Sequence, residues 1–321
     1  MANSLSAKPE KEAVFKSLSR LYNSTKKKNN KRVCSITIDI VKDKFIIFSD
    51  QHKGNRDQAD DFANNEINYL KALDYYNLQH FSFINLGDSE ELWKYKPEEV
   101  LPNNEQSFSA EAAFQPHRYF KTFGNHDLIW KNKLDVTRLL APYFAMPLPV
   151  CEGIVLKTLV HNEPLTIFCT HGHQGDKMSD NNAFSTWIVA HIWTPLQRYL
   201  RINVNTPSKD DALMNKHNKL MHEWSSNHRN MVLVTGHTHR PVFASGRYSS
   251  HPDHKIERSS HEKLKPAYFN SGCCCFNDGD ITGIEIEGGY IRLIKWHQEE
   301  EHLSTRTVLE EIKLEQLIKD L

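Results

Sequence analysis

The spacing of apolar residues changes at Lys44. Before it, Val14, Phe15, Leu18, Leu21 and Tyr22 recur at near-helical intervals over residues 11–22, which predicts a docked N-terminal helix. From Lys44 onward, short apolar runs alternate with helical stretches. Phe45-Ile46-Ile47-Phe48 reads as a strand, Phe62, Ile67, Leu70 and Leu73 as one face of a helix, and Phe81-Ser82-Phe83-Ile84-Asn85-Leu86 as a second strand. That order predicts an α/β sheet. Further strands are expected at Tyr119 to Phe123, Leu165 to Cys169 and Met231 to Val234, each ended by polar residues and glycine. Ile284 to Glu287, the Gly288-Gly289 turn and Tyr290 to Trp296 predict a β-hairpin. Ser304 or Thr305 is then expected to cap a last helix carrying Leu314, Leu317 and Leu321. There is no internal repeat.

Three segments lie outside this alternation. Lys26, Lys27, Lys28, Lys31 and Arg32 form a basic stretch that reads more simply as a solvated linker than as a binding patch. Residues 177–228 interrupt the strands with Phe184, Trp187, Ile188, Ile192, Trp193, Leu196, Tyr199 and Leu200. They predict either helices closing the core or an apolar lid beside a site. Polar residues 246–265 read as a surface loop. The expected organisation is an N-terminal helix and basic linker over 1–32, one main domain over 33–300, and a C-terminal helix over 301–321.

Composition narrows the function. Lys plus Arg equals Asp plus Glu at 40 each, so no global field draws the chain to a polynucleotide or an anionic membrane. No apolar run reaches the length of a signal peptide or a membrane span, and a cytoplasmic location is expected. Cys273, Cys274 and Cys275 lack the paired spacing of a zinc knuckle and read as buried small residues of a reducing compartment. Oligomeric state is not legible in the sequence.

The chemistry lies just past the strand ends. Asp50 and His52 come directly after the first strand, Asp88 after the second, Asn125 and His126 after the third, His171 after the fourth, and His237 and His239 after the fifth. Any one of these could be a turn residue or a helix cap. In an open α/β sheet, however, the carboxyl ends of the strands border one crevice, so these positions converge. Imidazole, carboxylate and amide oxygen together suit Mn, Fe or Zn better than Ca, whose sites use oxygen alone. Two cations about 3.5–4 Å apart require a bridging ligand, for which the Asp88 carboxylate is the candidate. The glycines before Asp88, Asn125 and His237 are expected to provide positive φ or close approach to phosphate.

These blocks, Asp50-Gln51-His52, Gly87-Asp88, Gly124-Asn125-His126-Asp127, His171-Gly172 and Gly236-His237-Thr238-His239, resemble the calcineurin-like metallophosphoesterase family. The closing Tyr268-Phe269-Asn270-Ser271-Gly272 segment and the hairpin after it resemble the family too. The resemblance implies an αββα sandwich of two mixed β-sheets flanked by helices, binding two divalent metal ions. It also implies that Asp50, His52 and His239 complete one metal site with Asp88, and that Asn125, His171 and His237 complete the other. Gly87 to Trp93 and Gly236 to Pro241 look most like the UDP-diacylglucosamine pyrophosphatase branch. The chain departs from that branch at His126, where those enzymes carry Arg.

The implied activity is hydrolysis of a phosphate ester or pyrophosphate by in-line attack of a metal-bridging hydroxide, on a phosphorylated small-molecule, nucleotide or lipid substrate. His126 is the candidate general acid, and Asp127 either orients it or caps the following helix, Leu128 to Leu140. His173, two residues past His171, has no assigned role. A nuclease or nucleotide phosphodiesterase is the alternative enzyme, although the balanced charge weighs against polynucleotide binding. A non-catalytic scaffold of the same fold is the third reading, opposed by the presence of all seven expected ligands.

Overall fold

The structure is a computed structural model, and it describes residues 3–27, 30–175, 211–243, 265–300 and 303–321. Its central strands are buried on both faces, and their side chains alternate between two different cores. In β2 (Phe45–Phe48), Phe45 and Ile47 pack into one apolar cluster while Ile46 and Phe48 pack into another. Period-two alternation along a strand with no solvent face is what a sheet covered on both sides requires.

Two sheets result. The larger is ordered β12-β11-β10-β2-β3-β4-β5, with β3 at Ser82–Asn85, β4 at Tyr119–Thr122, β5 at Val150–Cys151, β10 at Ile281–Glu287, β11 at Tyr290–Glu300 and β12 at Leu303–Lys313. Its β2-β3-β4-β5 half is parallel and its β10-β11-β12 half is antiparallel. The smaller is ordered β1-β6-β7-β8-β9, with β1 at Val33–Thr37, β6 at Gly153–Val160, β7 at Glu163–Thr170, β8 at Met231–Thr235 and β9 at Tyr268–Asn270. Only its β6-β7 pair is antiparallel.

Ile47, Ile84 and Ile284 of the larger sheet meet Ile154, Ile167, Val232 and Phe269 of the smaller in the central core. On the outer face of the larger sheet, helices α2 (Glu66–Leu78) and α4 (Glu105–Ala112) pack Tyr69, Leu73, Tyr76 and Phe108 against Ile46, Phe48 and Phe83; α3 is the short helix Pro97–Asn103. On the outer face of the smaller sheet, Val14, Leu18 and Leu21 of α1 (Asn3–Ser24) and Leu220, Met221 and Trp224 of α5 (Asp211–Ser226) cover Val155, Phe168 and Leu233. The layers are therefore helix, sheet, sheet, helix: the αββα sandwich with two mixed sheets.

The chain end departs from expectation. No helix opens at Ser304 or Thr305; Leu303–Lys313 is strand β12, paired antiparallel with β11, and only Leu314–Asp320 is helical (α6). The β-branched Thr305, Thr307, Val308 and Ile312 suit a pleated surface better than a helix. Arg306 fixes the pairing by reaching the buried Glu285 of β10 with two hydrogen bonds, 2.9 and 2.7 Å. The helix expected over Leu128 to Leu140 is also broken, into 3-10, α and π turns, because the Asn132 side chain accepts from Leu134 N and restarts the chain direction. Strands β1 and β6 have no counterpart in the sequence pattern. Of the aromatic insertion, residues 177–210 lie outside the described residues, as do 246–264 of the expected loop. No helix among the described residues is long and apolar enough to cross a membrane.

Candidate metal centre

Parallel pairing of β2 with β3 does not stop at the strand ends. Asp50 N donates to Gly87 O, His52 N to Asp88 O and Lys53 N to Ser89 O, each at 3.0 Å, so the loops bearing Asp50, His52 and Asp88 are held in register. Below them lies a buried charge network. Lys53 Nζ donates to Glu111 at 2.5 Å, to Ser89 Oγ at 2.8 Å and to Glu90 at 3.4 Å, and Glu90 also accepts from Lys121 and from Trp130 Nε1. Opposite charges at this depth satisfy one another and tie the loops to α4 and β4.

The backbone at these loops is unusual. Ten non-glycine residues among those described have positive φ, and Asp50, His52, Asp88, His237 and His239 are five of them. Such conformations cost about 1–3 kcal/mol each and persist where surrounding structure enforces them. Of the glycines expected to aid the turns, Gly87 does have φ of +95°. Gly124 and Gly236 act by leaving space. A Cβ on Gly124 would lie 2.1 Å from Asp88 Oδ1, and one on Gly236 would lie 2.3 Å from Asp50 Oδ2. The close approach is to carboxylates of the chain itself.

Atom by atom, the expected aspartates and histidines face one another. Asp50 turns Oδ2 away to accept from Ser49 Oγ and His237 N, leaving Oδ1 buried without a hydrogen bond, 3.3 Å from His239 Nε2. Asp88 gives Oδ1 to His126 N at 2.8 Å, while Oδ2 lies 3.0 Å from His171 Nε2 and 3.9 Å from His52 Nε2. Thus a single oxygen, Oδ2, faces both halves of the constellation. Asp88, His171 and His237 form one group of potential ligand atoms, and His52 belongs to others with Asp88 and with His239. Asn125 Oδ1 is buried with no hydrogen-bond partner. His173 is in none of these groups among the described residues, its ring 5.4 Å from that of His171.

Ring tautomers favour ligation. His171 Nδ1 donates to Leu86 O at 3.1 Å, which leaves the Nε2 lone pair for the interior, and His52 Nδ1 donates to Glu91 at 3.0 Å with the same effect. His52 Nε2 then stands 3.1 Å from His239 Nε2. Electrostatics point the same way. Burial alone would raise Asp88, but His171, His126 and His52 outweigh it and hold the carboxyl far below the usual range. Burial alone would lower His171, but Asp88 and Asp50 raise it to about 9, so at neutral pH a proton holds the place a cation would take.

His126 has partners that the sequence does not announce. Its Nδ1 lies 2.8 Å from Glu91 Oε1, and its ring stacks on Trp93 with centroids 4.0 Å apart. Glu91 therefore serves two imidazoles, one through each oxygen. Asp127, expected to orient His126 or to cap a helix, does neither. It is fully buried and accepts from Ser89 N at 2.9 Å and Gly124 N at 2.6 Å, joining the loops that carry Asp88 and Asn125. Burial, aided by Glu90 and Asp88 and opposed by Lys121, pushes it up to about 6. Cys275, expected only as a buried small residue, has its sulfur 3.7 Å from His239 Nδ1 and joins His52 and His239 in a third group of potential ligand atoms. The sequence signal for Glu91 is its position three residues after Asp88 in one loop; Cys275 has none. From the far side α5 braces the loops, His217 Nε2 bonding Gly172 O at 2.8 Å and Asn218 Oδ1 accepting from Thr238 at 3.1 Å.

Buried oxygen and nitrogen ligand atoms around two carboxylates are a set that fits divalent cations. Solved structures of similar architecture include vacuolar protein sorting 29 from Cryptosporidium parvum, at 11% identity over 84% of this chain and 98% of that one, with a TM-score of 0.35. GAP50, the anchor in the inner membrane complex of Plasmodium, matches at 10% identity over 85% and 88%, with a TM-score of 0.41. A dimetal phosphatase from Danio rerio matches at 7% identity over 84% and 99%, with a TM-score of 0.39. No curated protein matches the chain significantly. The calcineurin-like phosphoesterase pattern matches residues 43–241, more than half the chain and the whole span from β2 to the loop bearing His237 and His239, so the protein belongs to the calcineurin-like phosphoesterase family.

Proposed function

We propose that this protein hydrolyses a phosphate ester or pyrophosphate at a centre holding two divalent cations. Asp50, His52 and His239 would hold one cation, Asn125, His171 and His237 the other, and Asp88 Oδ2 would serve both. The observation that carries the reading is the approach of Asp88 Oδ2 and Asp50 Oδ1 to His171 Nε2, at 3.0 and 4.0 Å, with Asp50 Oδ1 and Asn125 Oδ1 both buried and without a hydrogen-bond partner. When bound, the cations supply positive charge to the phosphoryl oxygens and make an attacking hydroxide available near neutral pH.

The chain's own residues do the rest. Glu91 accepts from His126 Nδ1 at 2.8 Å, which orients the ring and makes Nε2 the nitrogen that would exchange a proton with the leaving oxygen. Trp93 restricts the ring to one plane, and its Nε1 bonds Asn125 O at 2.8 Å, coupling that plane to the loop of a ligand. Four-fifths burial of the His126 side chain leaves it reachable from the crevice. This acid is a histidine where the UDP-diacylglucosamine pyrophosphatase branch has Arg, so a substrate whose leaving group needs a proton is favoured.

The test is turnover of p-nitrophenyl phosphate, its diester and nucleotide pyrophosphates by protein reconstituted with Mn, Fe or Zn. Activity with at least one class, abolished by chelator, is expected, and with an alkyl phosphate ester, whose alkoxide leaving group needs a proton, His126→Gln with metal retained should reduce turnover by about 10²–10⁴. Metal-loaded protein inert towards every class would instead favour a binding scaffold.

A further inference from the structure

Beside this centre lies a cleft of about 360 Å³, between α1, the segment leading into β1, and the loops after β4 and β7. Its walls carry Arg20, Arg32 and Lys131, and the acid among them, Glu152, is already held by Arg32 through two hydrogen bonds of 2.8 Å. Among the described residues Arg20 and Lys131 have no ion-pair partner, so the described walls carry three basic side chains against one acid. The chain as a whole has none to spare, with 40 basic and 40 acidic residues. Buried His173 and Gln174, 5% and 4% exposed, also line it. Gln174 Oε1 accepts from Gly172 N at 3.1 Å, which fixes the amide, and its Nε2 donor is left buried with no hydrogen-bond partner. Guanidinium, ammonium and amide N–H are all donors, a combination that selects an anion.

The cleft and the candidate metal centre share their loops. Lys131 follows Asn125 in the loop after β4, and His173 and Gln174 follow His171 in the loop after β7, with the His173 ring centroid 5.4 Å from that of His171. We infer that the cleft receives a second anionic group, a phosphate or carboxylate, carried on the same small molecule as the phosphate that is cleaved. This rests on the phosphoesterase reading and narrows its substrate to a compound with two anionic groups. The volume is at the lower end of small-molecule sites and the cations surround a concavity, which suits a compact ligand better than a polynucleotide track.

The experiment is calorimetry on the metal-loaded full chain at fixed ionic strength, comparing propylphosphonate with alkane bisphosphonates of increasing spacer length. In the wild type, at least one bisphosphonate should bind more tightly than the monophosphonate. Arg20→Ala/Lys131→Ala, which alters exposed side chains, should cut that advantage by about tenfold to a hundredfold and leave propylphosphonate affinity unchanged. Gln174→Ala should remove part of it. No advantage for any spacer in the wild type, or the same advantage in the double variant, overturns the inference. Failure of propylphosphonate itself to bind the metal-loaded wild type would instead bring down the phosphoesterase reading on which it rests.

Discussion

Gly124→Ala tests how tightly the centre is built. The added Cβ would stand 2.1 Å from Asp88 Oδ1 and 2.7 Å from His171 Cδ2, where 3.4 Å is ordinary contact. Relief requires the Asp88 carboxylate to move by 3.4 − 2.1, or about 1.3 Å, and the His171 ring by roughly half that. Ligand distances in a working site vary by only about 0.2 Å, so a displacement of this size takes Asp88 Oδ2 out of range of one cation or both. It also disturbs the hydrogen bond that Asp88 Oδ1 accepts from His126 N. The expected result is a loss of at least about 10–100-fold in metal affinity, with overpacking destabilising the fold by about 1–3 kcal/mol. Metal content after dialysis and the urea midpoint read the two effects separately. Gly288→Ala is the control: its Cβ meets nothing within 4 Å, so only the backbone cost of a positive φ should appear, and metal content should not change. Metal affinity equal to wild type in Gly124→Ala would refute the proposed geometry.

Neighbouring groups give further expectations. Glu91→Gln removes the charge that orients both His52 and His126, so metal affinity should fall about 10–100-fold and kcat should drop as well; a change in neither would show that the carboxylate is dispensable. Lys53→Met leaves Glu111 buried without its cation, while Glu90 keeps Lys121, and should cost about 3–5 kcal/mol in urea denaturation; a cost under about 1 kcal/mol would mean the network contributes little. Metal loading should release protons, because His171, raised to about 9 without metal, must give up its Nε2 proton to ligate. Being protonated below that value, it should make metal affinity rise as pH is increased from neutral towards 9. Calorimetry in buffers of different ionisation enthalpy would detect the release, and affinity independent of pH would contradict it.

The parts of this fold that are legible in sequence are those where one short segment carries the whole signal. Phe45–Phe48 and Met231–Val234 are apolar throughout because both faces are covered, and each is succeeded at once by its ligand, so strand and chemistry are read together. Strand β12 is hidden because Ser304 and Thr305 imitate a helix start, while the Arg306–Glu285 pairing that fixes it spans 21 residues. Asp127 misleads for a related reason: adjacency to His126 suggests a partnership, whereas its oxygens are taken by Ser89 N and Gly124 N. The contact of Cys275 with His239 depends on how two loops meet in space, which no local pattern encodes. Positive φ at Asp50, His52, Asp88, His237 and His239 is equally invisible, since sequence suggests such backbone only at glycine and asparagine.

The account stands most directly on where cations bind. Anomalous diffraction from crystals of the Mn- or Zn-loaded protein should give two peaks about 3.5–4 Å apart, both within ligand distance of Asp88. A single peak, or peaks remote from Asp88 and His171, would contradict it.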